Sequence, residues 1–249
     1  MLKIVFVGTL LFMSSLYAGS INVAIAANVS YASEALIKEF NKEYPQTKVK
    51  ITLGSSGKLS AQIRHGAPYH IFMSANMSYP KALYDVKIAI DKPVIYAKGT
   101  LAFLSAYAQN FSLGIKLLED KDIKRVAIAN PKTAPYGKAT IEALQTSGVY
   151  SNMKQKLVFA ESASSVVAYA ISAVDIGIVP KATLFSSKMK KYKENVHWKE
   201  LDSSLYTPIY QGIVLLKRAS KNDEAKNFYK FILSSQAKKI FKNFGYITP

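Results

Sequence analysis

Four short stretches of this chain offer hydroxyl, amide and backbone N–H groups where a strand pattern gives way to a helix pattern. They are Ala26-Ala27-Asn28-Val29-Ser30, Gly54-Ser55-Ser56-Gly57, Ala134-Pro135-Tyr136-Gly137 and Glu161-Ser162-Ala163-Ser164-Ser165. The carboxyl ends of strands in an open α/β sheet are where ligands sit. A helix start carries unpaired N–H donors and about half a positive charge. Four such ends facing one point would supply roughly two positive charges without an ionised side chain, which suits a small dianion. Drying an ion costs tens of kcal/mol in the idealised limit, and each donor to it returns only about 1.5–3 kcal/mol net, so several donors must act together. Such a site has few acceptors and favours a fully ionised tetrahedral oxyanion over one that still carries a proton. Taken singly, each loop has an ordinary explanation. Asn28, Ser30 and Ser162 are good helix caps, Ser55-Ser56 can be a plain turn, and Tyr136 can simply pack. The pattern of four carries the reading.

The elements that must position these loops follow from hydrophobic periodicity. Ile21–Ala26 reads as a buried strand, and Ala32, Leu36, Phe40 and Tyr44 mark one face of a helix stopped by Pro45. Strands are expected at 49–53 and 71–74, with a short helix from Leu59 between them and the turn Gly54–Gly57 before it. Residues 94–97 and 101–104 read as strands flanking Lys98–Thr100. A second unit then has strands at 126–129, 157–159 and 176–179, a helix over 140–146 and another after Ser162. Tyr206–Leu216 is a strand-like return, and two helices close the chain, the second with Ser235 as its cap. Alternating strands and helices argue for α/β structure with mostly parallel strands. Two α/β lobes joined by two crossover strands would enclose a cleft. The expected division is lobe 1 from 21–99 plus 209–249, and lobe 2 from 100–208.

Composition narrows the chemistry. The chain has 249 residues, 49% hydrophobic and 20% charged, enough for a substantial core. It has no cysteine, which excludes disulfides, Cys-based metal sites and a lipid anchor on cysteine. His65, His70 and His197 lack metal-ligand spacing with one another. Gly57-Lys58 resembles the end of a phosphate-binding loop, but Leu59 stands where Ser or Thr belongs and Thr52 where the first glycine belongs. No G-x-S-x-G motif is present. The net charge of +17 is spread along the chain, dense only at 188–193, and reads as a solvated surface, with long-range attraction of small anions as the alternative. Lys3, the apolar run Ile4–Leu16 and the small residues Ala18-Gly19-Ser20 have the form of a secretory signal peptide over 1–20, with cleavage after Ser20 or Ala18.

The block Gly54-Ser55-Ser56-Gly57-Lys58-Leu59, Gln62-Ile63, Gly66-Ala67-Pro68 and Ile71-Phe72-Met73-Ser74-Ala75-Asn76 resembles the periplasmic molybdate-binding proteins of ABC importers, within the type II periplasmic binding protein fold. Val126–Pro131 with Pro135-Tyr136-Gly137, Gly177-Ile178-Val179, and Gln236-Ala237, Ile240-Phe241 and Phe244-Gly245-Tyr246 extend the likeness over the whole mature chain. The resemblance implies two mixed sheets flanked by helices and joined by two crossover strands. It implies oxyanion contacts at Asn28, the Ser56 hydroxyl, and the backbone N–H groups of Tyr136 and Ala163. Some members place a tyrosine where this chain has Pro180, and the family's acids at positions 70 and 76 are His70 and Asn76 here. The implied protein is a periplasmic monomer without cofactor and without enzymatic activity. It would take molybdate or tungstate, select by tetrahedral size over sulfate, and hand the ion to an ABC permease and its ATPase. Such a protein meets the membrane only through that permease and binds no nucleic acid. Capture of sulfate, thiosulfate or ferric ion, or an exported hydrolase with His65 as base near Ser55 or Ser56, are the other readings of the same residues.

Overall fold

The structure is a computed structural model that describes residues 19–249, so most of the expected signal segment lies outside the described residues. Ten strands form two five-stranded mixed sheets. The first contains β1 (Ser20–Ala26), β2 (Lys48–Gly54), β3 (Ile71–Met73), β4 (Val94–Gly99) and β10 (Ile209–Leu215) in the order β2-β1-β3-β10-β4. The second contains β5 (Leu101–Leu104), β6 (Val126–Ala129), β7 (Leu157–Ala160), β8 (Ile176–Pro180) and β9 (Trp198–Glu200) in the order β7-β6-β8-β5-β9. The two sheets repeat one plan. β1 lies parallel between β2 and β3, and β6 lies parallel between β7 and β8. Antiparallel strands then complete each sheet: β10 between β3 and β4, and β5 between β8 and β9.

Strand alternation divides the cores. Val23 and Ile25 face α1 (Ser30–Glu43), α7 (Asp223–Ile232) and α8 (Ser235–Asn243), where they join Leu36, Phe40, Phe228 and Phe241. Ala24 faces the other way, with Leu59 and Ile63 of α2 (Ser56–Arg64) and Leu83 of α3 (Ser78–Asp85). In the second sheet Val126 and Ile128 pack under α4 (Pro135–Thr146) with Leu144, while Ala127 meets Val166 of α6 (Ala163–Ala170). A further single turn, α5 (Tyr150–Met153), leads toward β7. Phe40 meets Phe228 edge-on at 5.0 Å between centroids, and Tyr44 caps α1 by donating its N–H to Phe40 O before Pro45 ends it. No helix among the described residues is long and apolar enough to cross a membrane.

Several local expectations shift. The helix expected from Leu59 starts at Ser56, and the helix expected from Thr140 starts at Pro135. Proline reads as a breaker in sequence, yet at the first helical position its missing N–H is one the helix leaves unpaired anyway. α1 is entered from the 3-10 turn Ala27–Val29 with Val29 as cap, so neither Asn28 nor Ser30 caps it. Ser234 caps α8, its Oγ accepting from Ala237 N, and Ser235 is the first helical residue. α3 is hidden in sequence by Pro80, and β9 by its brevity and its polar Lys199 and Glu200.

His70 pins the start of β3 to β1. Its N–H donates to Asn22 O at 2.8 Å, and its Nδ1 accepts from Asn22 N–H at 2.9 Å. Burial, helped by the charge of Arg218, lowers its pKa below the ordinary 6.5. A base whose folded pKa is depressed stabilises the fold fully above its unfolded pKa, and that stability is lost as pH falls through the folded value. Thermal unfolding should therefore show a loss of melting temperature below about pH 6.5 that is smaller in His70→Gln, which keeps an acceptor without titrating. Parallel pH profiles for the two proteins would remove His70 as the cause.

Candidate functional site

The loops after β1, β2, β6 and β7 meet in one small cavity between the two sheets. These are corresponding positions in the two repeated sheets, so the helix starts face one another across the gap. The space there, open solvent at its mouth included, is about 190 Å³, room for one compact occupant. Asn28, Ser56, Tyr136 and Ala163 all line it, together with Ser55. Its walls are otherwise alanine, glycine and proline, and no ionisable group except the Tyr136 phenol lines it among the described residues.

Each loop has a local reason for its shape. Ser56 is the first residue of α2 and is 1% exposed. Its Oγ accepts from Ala75 N–H at 2.9 Å, so its own proton remains available to the cavity. The Oγ of Ser55 is buried and has no hydrogen-bond partner among the described residues. Tyr136 is the second residue of α4 and Ala163 the first of α6, positions whose N–H groups find no acceptor within their own helices. Ser162 does cap α6, its Oγ accepting from Ser165 N–H at 3.3 Å. Gly137 is required because a Cβ there would overlap the carbonyl of Ala129, where α4 presses on β6.

Direct contacts draw the two sheets together at the cavity. Gly57 N–H donates to Thr133 O at 2.9 Å, and a Cβ at Gly57 would stand 2.7 Å from the Tyr79 hydroxyl. Lys58 Nζ bonds Glu161 Oε1 at 2.6 Å, an exposed pair of small energetic weight. Deeper lies an uncharged network. Gln211, fully buried on β10, accepts at Oε1 from Asn28 Nδ2 and the Tyr96 hydroxyl, each at 2.8 Å. Its Nε2 donates to the Tyr136 hydroxyl at 3.2 Å. Asn28 Nδ2 also donates to the Tyr246 hydroxyl at 3.1 Å, and that hydroxyl donates back to Asn28 O at 2.9 Å. Burial pushes Tyr96 and Tyr136 far above the usual phenol range and raises Tyr246 too, so all three act as neutral hydrogen-bonding groups.

Sequence reasoning therefore names four residues that the fold brings together, and misses Gln211, Tyr96 and Tyr246. A lone glutamine in the apolar run Ile209–Leu216 was the available signal, since a buried amide must find partners. Pro180 is buried at the end of β8 but does not line the cavity. Asn76 serves α3, its Oδ1 accepting from Tyr79 N–H at 3.3 Å. His197 accepts at Nδ1 from Lys193 N–H, and His65 ends α2, so neither is at the cavity. No cluster of metal-ligating side chains occurs among the described residues.

Paired α/β sheets that bring the carboxyl ends of their strands to one small, uncharged, polar cavity define a solute-binding protein. The chain belongs to the bacterial extracellular solute-binding protein family, whose pattern it matches over residues 21–247. It is 34% identical to the molybdate-binding protein ModA of Rhodobacter capsulatus over 232 residues, covering 93% of this chain and 89% of that one. It is 29% identical to ModA of Azotobacter vinelandii over 247 residues, 98% of this chain and 96% of that one. The solved Azotobacter vinelandii periplasmic molybdate-binding protein superposes with a TM-score of 0.85 at 30% identity, over 92% of this chain and 99% of that one. The sulfate-binding protein SubI of Mycobacterium tuberculosis, at 14% identity and a TM-score of 0.74, shares the fold.

Because Ser56 also satisfies the buried Ala75 N–H, Ser56→Ala should lower the stability of the protein alone by about 1–3 kcal/mol. Urea unfolding without added anion measures this, and an unchanged midpoint would mean that Ala75 N–H does not depend on the hydroxyl.

Proposed function

We propose that this protein captures molybdate, and also tungstate, between two lobes and delivers it to an ABC import permease. The observation that carries the reading is one cavity, sized for a small ion, lined by Asn28, Ser56, Tyr136 and Ala163 and by no lysine or arginine among the described residues. The printed functions of the relatives at 34% and 29% identity support the choice of ion. In this reading the Ser56 hydroxyl and the N–H groups of Tyr136 and Ala163 donate to the oxyanion, with Asn28 as a fourth contact and Ser55 as a further hydroxyl within the same wall. A tetrahedral ion with shorter bonds, such as sulfate, would leave some of these donors outside the roughly 2.7–3.2 Å over which N–H···O hydrogen bonds form. Hydrogen phosphate brings a proton to a site composed mainly of donors.

The lobes in this reading are 21–99 with 209–249, and 100–208. They rest on the two sheets, and the passages from β4 to β5 and from β9 to β10 join them. Residues 1–20 act as the export signal, and the mature chain works as a periplasmic monomer without cofactor, lipid anchor or catalysed reaction. Cleavage after Ala18 would leave the pairing of Ser20 with Lys48 in β1 and β2 whole.

Calorimetric titration of the mature protein with molybdate, tungstate, sulfate and phosphate tests the proposal. One molybdate or tungstate per chain is expected, with sulfate and phosphate at least about tenfold weaker, a difference of about 1.4 kcal/mol. Sulfate bound as tightly as molybdate would end the size argument, and no heat with any of the four ions would end the proposal.

A further inference from the structure

We propose that the Tyr136 side chain fastens the two sheets to one another: its phenol, seated in a socket of the first sheet, fixes where the N–H of the same residue meets the oxyanion. The inference rests on the proposed oxyanion site and adds to it a positioning role for a side chain.

Tyr136 belongs to α4, which packs on the second sheet, yet its hydroxyl is held by the first. The residue is 2% exposed, and the hydroxyl accepts from Gln211 Nε2 of β10 at 3.2 Å. A phenol can give or take a hydrogen bond, so this contact does not depend on which way the Gln211 amide is turned. The other wall of the socket is Gly99, the last residue of β4, where a Cβ would overlap the Tyr136 hydroxyl. Glycine in a strand marks places where another group comes close. Ala26 and Ala75, which follow β1 and β3, share a buried apolar cluster with the Tyr136 ring. Neither Gly99 nor Gln211 lines the cavity, so the hydroxyl makes its contacts behind the wall.

The wall itself is tied at both ends. Ala134, Pro135 and Tyr136 form its part from the second sheet. Just before them, Thr133 O accepts from Gly57 N–H of α2 at 2.9 Å. At their end stands the Tyr136 phenol in its socket. Pro135 restricts the backbone between the two ties. Three residues held in this way keep a set distance from Ser56, the neighbour of Gly57, and so from the hydroxyl that faces the same cavity. An oxyanion that takes the Ser56 hydroxyl and the Tyr136 N–H together needs that distance, because hydrogen bonds form only over about half an ångström of range. The phenol contact and the ion contact thus require the same approach of the two sheets, and each favours the other.

Calorimetric titration with molybdate on two variants tests this. Tyr136→Phe keeps the ring and the backbone N–H but loses the hydroxyl, and should weaken binding by about tenfold, the scale of one buried hydrogen bond. Gly99→Ala fills the socket and should weaken binding by more. In the Gly99→Ala background, Tyr136→Phe should recover part of the loss, because a ring without its hydroxyl fits beside the new methyl group. A further loss in the double variant means that socket and phenol act separately and overturns the proposal. Urea unfolding without anion separates positioning from simple support of the fold. A lowered midpoint in Tyr136→Phe with wild-type affinity shows support alone and also overturns the proposal. Should Gly99→Ala fail to fold, the affinity of Tyr136→Phe decides by itself, and wild-type affinity there refutes the fastening. A wild-type chain that binds none of the four ions removes the oxyanion reading and this inference together. Normal binding by wild type and Tyr136→Phe alike removes this inference alone.

Discussion

Helix starts leave backbone N–H groups unpaired, and the rest of this molecule is arranged around where those groups can go. An unpaired buried N–H costs on the order of a lost hydrogen bond, so it must meet a polar partner or water. Here the strands β1, β2, β6 and β7 all deliver their helices to one place, and the unpaired groups of both sheets share it. The repeated strand order makes this possible. Corresponding junctions in the two sheets become neighbours when the carboxyl ends of the sheets face each other.

Small residues are the condition for that arrangement. Ala26, Ala27, Gly54, Ala75 and Ala134 line the cavity with no side chain larger than a methyl group. Gly57 and Gly137 let one backbone approach another where a Cβ would crowd Thr133 or overlap Ala129. A wall of this kind holds its dipoles rigidly, because there are few rotatable groups to reorganise. No lysine or arginine lines it among the described residues, although the chain carries a net charge of +17.

The polarity of the cavity extends inward through uncharged groups. Gln211, Asn28 and three neutral tyrosines form a network in which every link is an amide or a phenol. Amides can present either a donor or an acceptor from the same position, which an ionised pair cannot do. A neutral network of this kind gives the cavity polarity without burying a charge.

Much of this was legible in the sequence, and the boundary of legibility has a physical cause. The strands β1, β2, β3, β6, β7 and β8 announce themselves as short apolar or alternating runs, and the polar loops that follow β1, β2, β6 and β7 are visible by composition alone. Local chemistry determined those features, because strand alternation and cap preference act within a few residues. The start of α4 at Pro135 was ambiguous, since proline suits a loop and a first helical turn equally. Asn28 looked like a cap or a free donor, yet its amide is held by Gln211 and Tyr246, 183 and 218 positions further along. Only the tertiary structure decided that, because hydrogen bonds between distant residues leave no local periodicity to read, and the partner of a buried amide is fixed by which strands become neighbours.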